Sequence, residues 1–291
     1  MNRIGSVVKD LVLASRPLSW VNTAYPFAMA WLLATGRADA VFWVGVVFFL
    51  IPYNLLMYGV NDVFDYESDL ANPRKGGVEG ALLQRSRLRV LLWTSVLLPV
   101  PGAVWLLTQG DLAANVVLVV VLFAVVAYSA PGLRFKERPV LDSATSATHF
   151  VGPAVYGWVL SDAPITASVA LVLAAFFAWG MASQAFGAVQ DIAADRQAGI
   201  GSVATVLGAR RTIGLVLGLY ATAALLLVLA GGAVAWTAVL VIPYLLMVLP
   251  FRHLTDPDAE QANRGWRRFL WINYAVGAAL TIGVLAQRTV L

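Results

Sequence analysis

Residues 41–60 read VFWVGVVFFLIPYNLLMYGV, a run without a charged side chain, and NDVFDYESD follows directly at residues 61–69. A transmembrane helix needs about 20 mainly apolar residues, so the run predicts a membrane span. The acidic stretch marks the point where the chain leaves the apolar phase, because carboxylates are costly inside a bilayer. This junction of an apolar span and an acid-rich segment predicts a membrane protein whose functional site lies at the end of a span.

The same apolar character extends along the whole chain. Of its 291 residues, 60% are hydrophobic and 12% are charged, against roughly 45–50% and about 25% in soluble domains. Apolar runs bounded by charges, Gly or Pro predict nine spans: residues 17–35, 41–60, 88–107, 112–130, 143–160, 165–187, 211–230, 233–250 and 266–286. The sequence therefore predicts an all-α integral membrane protein with one domain over residues 1–291.

The basic residues predict how the chain is oriented in the membrane. Eighteen of the 20 Lys and Arg residues fall within 1–16, 61–89, 134–138, 196–211 and 252–268. Because cytoplasmic loops are enriched in Lys and Arg, the N-terminus and these loops should be cytoplasmic and the C-terminus external. We therefore expect a multi-pass protein of the cell membrane whose polar site faces the cytoplasm. The net charge of +4 reflects this orientation and does not predict a nucleic-acid partner.

The cysteine and histidine content limits the kinds of functional site that the chain can form. The chain has no Cys, which excludes disulfides, thiolate nucleophiles and thiolate metal sites. Its two His residues, His149 and His253, are far apart in sequence and do not form a zinc-binding pattern. Carboxylates, amides, aromatic rings and basic groups must therefore carry any activity.

Two segments concentrate the few carboxylates. Asp62, Asp65 and Asp69 follow the second span at helical spacings of three and four, and Asp191 and Asp195 follow the sixth span four residues apart. Each set should share one helical face, away from Glu67. Mg²⁺ binds carboxylates together with substrate phosphates. The pattern predicts two Mg²⁺ ions held against a diphosphate, with weak internal duplication placing one Asp-rich loop in each half, at 61–87 and 188–210.

Basic and polar residues near these acids are the predicted substrate contacts. Five carboxylates and a diphosphate exceed the charge of two Mg²⁺ ions, so cations should surround the site. The predicted contacts are Arg16, Asn54, Tyr58, Arg74, Lys75, Lys136, Arg138 and Arg196. Asn61, beside Asp62 in the motif, is predicted to be catalytic together with the five aspartates. Two of the contacts have a second interpretation: Arg16 as a charge at the membrane interface and Asn54 as a hydrogen bond between helices. His149 is interpreted either as a core residue or as a base.

Aromatic and glycine residues near the acids suggest two further roles. Loss of diphosphate from an organic donor leaves a cation, which a ring face can stabilise, and the candidates are Tyr58, Phe64, Tyr66 and Phe186. Gly76, Gly77 and Gly80 predict a flexible loop that closes over the site and excludes water.

The two acidic motifs resemble those of a known superfamily. NDVFDYESD is similar to the NDxxDxxxD motif of the UbiA prenyltransferases, and DIAADRQAG resembles their second motif, with Ala188 in place of its usual first Asp. The resemblance implies nine helices around a central cavity, Mg²⁺-dependent ionisation of a prenyl diphosphate and prenylation of a lipophilic acceptor. Gln184 or Gln190 could supply oxygen ligands where Ala188 does not.

Longer stretches resemble the bacterial lycopene elongases within that superfamily. These include LIPYNLLMYGVNDVFDYESDLANPRKGGVEGA, YSAPGLRFKERPVLDSATSATHF and GMASQAFGAVQDIAADRQAGIGSVATVLGAR. The resemblance implies dimethylallyl diphosphate as donor and lycopene as acceptor, and the few ionisable groups of the fifth and sixth spans suit an apolar acceptor.

Two alternative functions remain open from the sequence. Prenylation of an aromatic ring or a polar lipid headgroup would use the same aspartates. A transporter could use intramembrane acids for ion coupling, but such acids should lie near the bilayer midplane. The acids here lie at the ends of spans, which favours the enzyme.

Overall fold

The computed structural model describes residues 3–71 and 83–290, and over these ranges the chain forms helices and turns without a strand. The α-helices are α1 (Arg3–Ala14), α2 (Val21–Thr35), α3 (Ala40–Leu50), α4 (Pro52–Phe64), α5 (Tyr66–Ala71), α6 (Leu88–Leu97), α7 (Pro99–Leu107), α8 (Leu112–Ser129), α9 (Leu141–Leu160), α10 (Ala167–Val189), α11 (Ile192–Ala198), α12 (Val203–Leu207), α13 (Ala209–Ala230), α14 (Ile242–Val248) and α15 (Asn263–Val290). Segments of 3₁₀-helix cover Pro17–Ser19, Arg85–Arg87, Phe135–Glu137, Gly232–Val241, Leu249–Phe251 and Asp256–Ala262.

Seven helical segments of the described chain are long and apolar enough to cross a membrane. They are Ala40–Phe64, Arg85–Leu107, Leu112–Ser129, Ala167–Val189, Ala209–Ala230, Gly232–Phe251 and Asp256–Gln287, and they match seven of the nine predicted spans. The other two predicted spans coincide with α2 and α9. Helix α2 has 15 residues, or about 22 Å at 1.5 Å per residue, less than the ~30 Å apolar core of a bilayer. The total of nine spans and their orientation stay predictions.

Proline interrupts the span that leads to the first acidic motif. Pro52 has no N–H and begins α4, so the helix breaks at Ile51 between α3 and α4. Asn54 stabilises the break: its Nδ2 lies 2.8 Å from the Phe49 carbonyl oxygen, 3.0 Å from that of Leu50 and 2.6 Å from Thr23 Oγ1. The fully buried Asn54 amide thus donates to carbonyls across the break, and Thr23 Oγ1 also donates to the Phe49 carbonyl at 2.7 Å.

The chain divides into two compact units, of which the first comprises Met1–Phe135 and Thr148–Pro164. An aromatic cluster forms its core, with the ring centroids of Phe27 and Phe49, and of Phe49 and Tyr53, each 5.1 Å apart. Helix α4 lies against α6 at Gly59, where a Cβ atom would overlap Ser95 Oγ. This close approach fixes α4 one turn before Asp62.

Helix α1 docks on the same unit through Arg87, which precedes α6. Arg87 Nη2 donates to Ser6 Oγ at 2.8 Å, and its Nη1 lies 3.4 Å from Asp10 Oδ2. Leu11 of α1 packs against a small cluster that includes Leu55 of α4. These contacts fix the chain just before Arg16.

The second unit comprises Lys136–Ala147 and Ile165–Leu291. Helices α10 and α13 pair closely and bury a core that includes Phe186, Ile213 and Tyr220.

Two carboxylates organise the segment after the second acidic motif. Asp142 accepts a hydrogen bond from the N–H of Val203 at 2.9 Å, and Asp256 accepts one from the N–H of Ala209 at 2.7 Å. They satisfy backbone donors at the starts of α12 and α13.

Candidate active site

The first acidic motif lies across the end of α4. Asp62 belongs to the last turn of α4, and Asp65 follows that helix, with its N–H donating to the Asn61 carbonyl at 2.9 Å. Asp62 and Asp65 are buried, with 5% and 8% of their surfaces exposed, whereas the Glu67 side chain is 70% exposed. The helical spacing therefore gives two buried acids on one face and points Glu67 away. Asp69 lies on α5, and its side chain is outside the described part of the chain.

An arginine contacts Asp62. Arg16 Nη2 lies 2.9 Å from Asp62 Oδ1, and the guanidinium carbon is 4.3 Å from the centroid of the Tyr58 ring. Arg16 has a positive φ of 51°, which non-glycine residues adopt rarely and which often marks functional sites. Asp62 Oδ2 is buried and has no hydrogen-bond partner among the described residues. One oxygen of Asp62 is thus bound to Arg16, and the other remains for a ligand.

A second arginine lies beside Asp65. Arg134 Nη2 is 3.6 Å from Asp65 Oδ1, and Arg134 also has a positive φ, of 40°. Sequence reasoning counted Arg134 only as a marker of the cytoplasmic side and missed it as a site residue. Its position in GLRFKER, beside Lys136 and Arg138, was the signal available.

The polar residues that precede the motif have partners within the first unit. Ser129 Oγ donates to Asn61 Oδ1 at 2.9 Å, which joins the end of α8 to α4. Asn54 lies at the helix break described above, so the structure supports its interpretation as a hydrogen bond between helices, and its predicted substrate contact stays untested. His149 is buried, with Nε2 3.3 Å from the Ala124 carbonyl oxygen and its ring edge-on to Tyr128.

The second acidic motif lies in the second unit, around α11. Helix α10 ends at Val189, Asp191 precedes α11, and the Asp195 N–H donates to the Asp191 carbonyl at 2.8 Å. Both aspartates are half-buried, whereas Ala193 and Ala194 between them are exposed. The predicted spacing of four residues therefore directs both acids to one face of α11.

The two glutamines offered as substitute ligands already accept hydrogen bonds. Gln184 Oε1 accepts one from Ser146 Oγ at 2.9 Å, and Gln190 Oε1 accepts one from Asn263 Nδ2 at 2.6 Å. Each carbonyl oxygen has a second lone pair. The contacts orient both amides and leave a ligand role for them untested.

Arg196, a predicted substrate contact, binds other residues of the protein. Its Nη1 lies 2.7 Å from Asp256 Oδ2, and its Nη2 donates to the Thr205 carbonyl at 2.8 Å. The guanidinium thereby joins α11 to α12 and to the start of the last 3₁₀ segment. Lys136 is half-buried and Arg138 is exposed in the connection before α9.

Some predicted features lie outside the described residues. They are Arg74, Lys75 and the loop glycines Gly76, Gly77 and Gly80. Within the described part, no group of three His, Cys, Asp or Glu side chains could hold a metal ion. Because the first motif is in one unit and the second in the other, the prediction that they form one two-metal site stays a prediction.

Comparison with known proteins identifies relatives over almost the whole chain. The UbiA prenyltransferase family matches residues 23–273. The lycopene elongase/hydratase of Corynebacterium glutamicum is 50% identical over 279 residues, which cover 96% of this chain and 97% of that protein. The C(50) beta-cyclic carotenoids biosynthesis protein LbtBC of Dietzia sp. is 52% identical over 96% of this chain and 65% of its own length.

A solved structure shares the fold. A UbiA homolog from Archaeoglobus fulgidus, bound to DMAPP and Mg²⁺, superposes with a TM-score of 0.67 at 17% identity, covering 92% of this chain and 99% of that one. The helical architecture is therefore that of the solved homolog.

Proposed function

The chain belongs to the UbiA prenyltransferase family, and we propose that it transfers dimethylallyl groups from dimethylallyl diphosphate to lycopene. The observation that carries this proposal is the 50% identity to a lycopene elongase/hydratase over nearly the full length of both chains. Membership of the family establishes that the chain is a prenyltransferase. The identities of the donor and the acceptor are what we propose. The binding of DMAPP by the Archaeoglobus homolog supports the donor.

The first motif fits a divalent cation. Asp62 and Asp65 are buried carboxylates, the hard oxygen ligands that Mg²⁺ prefers, and Asp62 Oδ2 has no hydrogen-bond partner in the described chain. Mg²⁺ usually binds one or two carboxylates together with substrate phosphates, so a cluster of three acids is not required. We assign the metal-holding role to Asp62, Asp65 and Asp69 and, in the second unit, to Asp191 and Asp195. When bound, two Mg²⁺ ions would neutralise the diphosphate and make it a better leaving group.

Basic residues supply the remaining positive charge. Arg16 and Arg134 lie beside the first motif, and a guanidinium can donate two parallel hydrogen bonds to phosphate oxygens. We propose diphosphate contacts for them and for Arg74, Lys75, Lys136, Arg138 and Arg196. These groups stabilise the charge that develops as the diphosphate leaves.

The reaction joins two carbon atoms. The carbon–oxygen bond of the donor breaks, diphosphate leaves with the electron pair, and the allylic cation is attacked by a terminal double bond of lycopene. The new carbon–carbon bond leaves a tertiary cation on the acceptor, which loses a proton or captures water. The Arg16 guanidinium covers one face of the Tyr58 ring, and the opposite face is a candidate for stabilising the allylic cation. A second transfer at the other end of lycopene would complete the product.

Expression in bacteria that accumulate lycopene and make dimethylallyl diphosphate tests this function. We expect carotenoids longer than lycopene by one and two five-carbon units, and loss of both in an Asp62→Ala variant that is present in the membrane at the wild-type level. If lycopene is unchanged while an aromatic acid or quinone precursor is prenylated, the acceptor is wrong and the prenyltransferase class still holds.

A further inference from the structure

Each described carboxylate of the first motif is buried and paired with an arginine. The Arg16–Asp62 pair is 2.9 Å long and the Arg134–Asp65 pair 3.6 Å, with carboxylate side chains that are 4% and 10% exposed and arginine side chains that are 19% and 36% exposed. By contrast, the nearby pair between Arg85 and Glu67 has side chains that are 78% and 70% exposed. Solvent therefore screens the Arg85–Glu67 pair most, the Arg134–Asp65 pair less and the Arg16–Asp62 pair least.

The backbone has an uncommon conformation at both arginines. Arg16 and Arg134 are two of the four non-glycine residues with positive φ in the described chain, a conformation that the surrounding structure must hold in place. For Arg16 the docking of α1 through Arg87 provides that restraint, and the Trp20 Nε1–H donates to the Ser15 carbonyl at 3.0 Å. Arg16 is therefore a fixed part of the site.

These fixed positive charges affect metal and diphosphate in opposite ways. A divalent cation that binds Asp62 Oδ2 comes close to the Arg16 guanidinium, and the two like charges repel strongly in a poorly solvated site. A diphosphate carries the opposite charge and can accept hydrogen bonds from the same guanidinium. We propose that Arg16 and Arg134 make metal loading conditional on the diphosphate: the metal alone binds weakly, and the diphosphate raises its affinity. This inference rests on the proposed role of Asp62 and Asp65 in holding the metal.

Binding of Mn²⁺ to the purified protein in detergent tests the inference without turnover. Free Mn²⁺ is measured by electron paramagnetic resonance, with and without inorganic pyrophosphate, and protein-free titrations correct for Mn²⁺ bound to pyrophosphate. We expect pyrophosphate to tighten Mn²⁺ binding to the wild type by about tenfold or more, the scale of a single charge interaction in a partly buried site.

Substitutions of the arginines then separate the effect of their positive charge from the effect of their shape. Arg16→Gln should bind Mn²⁺ alone about tenfold more tightly than the wild type and respond less to pyrophosphate, because one repelling charge is gone. Arg16→Lys keeps the charge and should retain weak binding of Mn²⁺ alone. Arg85→Gln, which removes an exposed pair, should leave both affinities within about twofold of the wild type. Arg134→Gln provides an independent test at Asp65.

The outcomes distinguish this inference from the function on which it rests. If Arg16→Gln and Arg134→Gln both unfold at the wild-type temperature and bind Mn²⁺ alone no more tightly than the wild type, conditional loading is wrong. If Asp62→Asn binds Mn²⁺ in the presence of pyrophosphate as tightly as the wild type does, the metal site itself is wrong. Reduced binding by Asp62→Asn together with tighter binding by Arg16→Gln supports both.

Discussion

Gly59→Ala tests the close packing of the helix that carries the first motif. A Cβ at position 59 would overlap Ser95 Oγ and lie 3.1 Å from Ser95 Cβ and 3.2 Å from Leu91 Cδ1. Apolar atoms pack best at roughly 3.5–4.0 Å, and rotation of Ser95 would move only its oxygen. Helix α4 must therefore shift away from α6, and Asp62 moves with it because it lies one turn further along.

The expected cost combines two opposing effects. Overpacking a buried contact costs about 1–3 kcal/mol, and replacing Gly by Ala inside a helix recovers up to about 1 kcal/mol. Because the overlap with Ser95 Oγ is severe, we take the upper part of the overpacking range, about 2–3 kcal/mol, and subtract a gain of about 1 kcal/mol. We therefore expect Gly59→Ala to lower the free energy of unfolding by about 1–2 kcal/mol. Gly218 on α13 is the matched control, since its Cβ would meet no atom within 4 Å, and Gly218→Ala should be neutral or stabilise by up to about 1 kcal/mol.

Reversible unfolding of the detergent-solubilised protein in sodium dodecyl sulfate, followed by circular dichroism, measures these free energies. A double-mutant cycle isolates the contact: in a Ser95→Gly background, which removes both the overlapping oxygen and the Cβ at 3.1 Å, Gly59→Ala should cost about 1 kcal/mol less than in the wild type. A Gly59→Ala protein as stable as the wild type would refute the argument, and so would an equal cost in both backgrounds.

Three further predictions address other parts of the protein. Asn54→Ala should lower the free energy of unfolding by about 1–2 kcal/mol, measured in the same way, because the amide's hydrogen bonds to the Phe49 and Leu50 carbonyls at the helix break are lost. An unchanged stability would show that the amide does not hold the break. Asp191→Asn should reduce turnover by about 100-fold or more at saturating Mg²⁺ in purified, folded enzyme, on the scale of a lost charge-stabilising group. Removal of the metal by a chelator should reduce turnover to a similar extent, whereas Glu67→Gln should change it by no more than a few-fold. Near-normal turnover of Asp191→Asn would eliminate a site shared by the two motifs. Reporter fusions after Ser68 and Gly199 should be cytoplasmic and one at the C-terminus external, and a cytoplasmic C-terminus would mean that a span was miscounted.

Local sequence patterns were sufficient to predict the helical elements of the fold. Apolar runs and helical spacing placed Asp62 and Asp65 on one buried face and Glu67 outside it, because these features depend on neighbours within two turns. The same reasoning predicted nine spans, seven of which coincide with helical segments long and apolar enough to cross a membrane. It could not show that α2 is only 15 residues long, because hydropathy counts apolar residues regardless of whether each is helical.

Contacts between distant parts of the chain could not be predicted in the same way. Arg134 was missed as the partner of Asp65 because 69 positions separate them and no local pattern links them. Arg16 was found, but its pairing with Asp62 depends on how α1 docks through Arg87. Asn54 was an expected polar residue of a span, and only the break at Pro52 explains which carbonyls it contacts.

The central claim, prenyl transfer to lycopene, is tested most directly with purified protein in liposomes that contain lycopene, Mg²⁺ and deuterium-labelled dimethylallyl diphosphate. Mass spectrometry of the extracted carotenoids should show products that have gained one and then two labelled five-carbon units, and no such product after Mg²⁺ is chelated. Recovery of unlabelled lycopene alone, from protein that is folded and binds the donor, would contradict the assignment of lycopene as the acceptor.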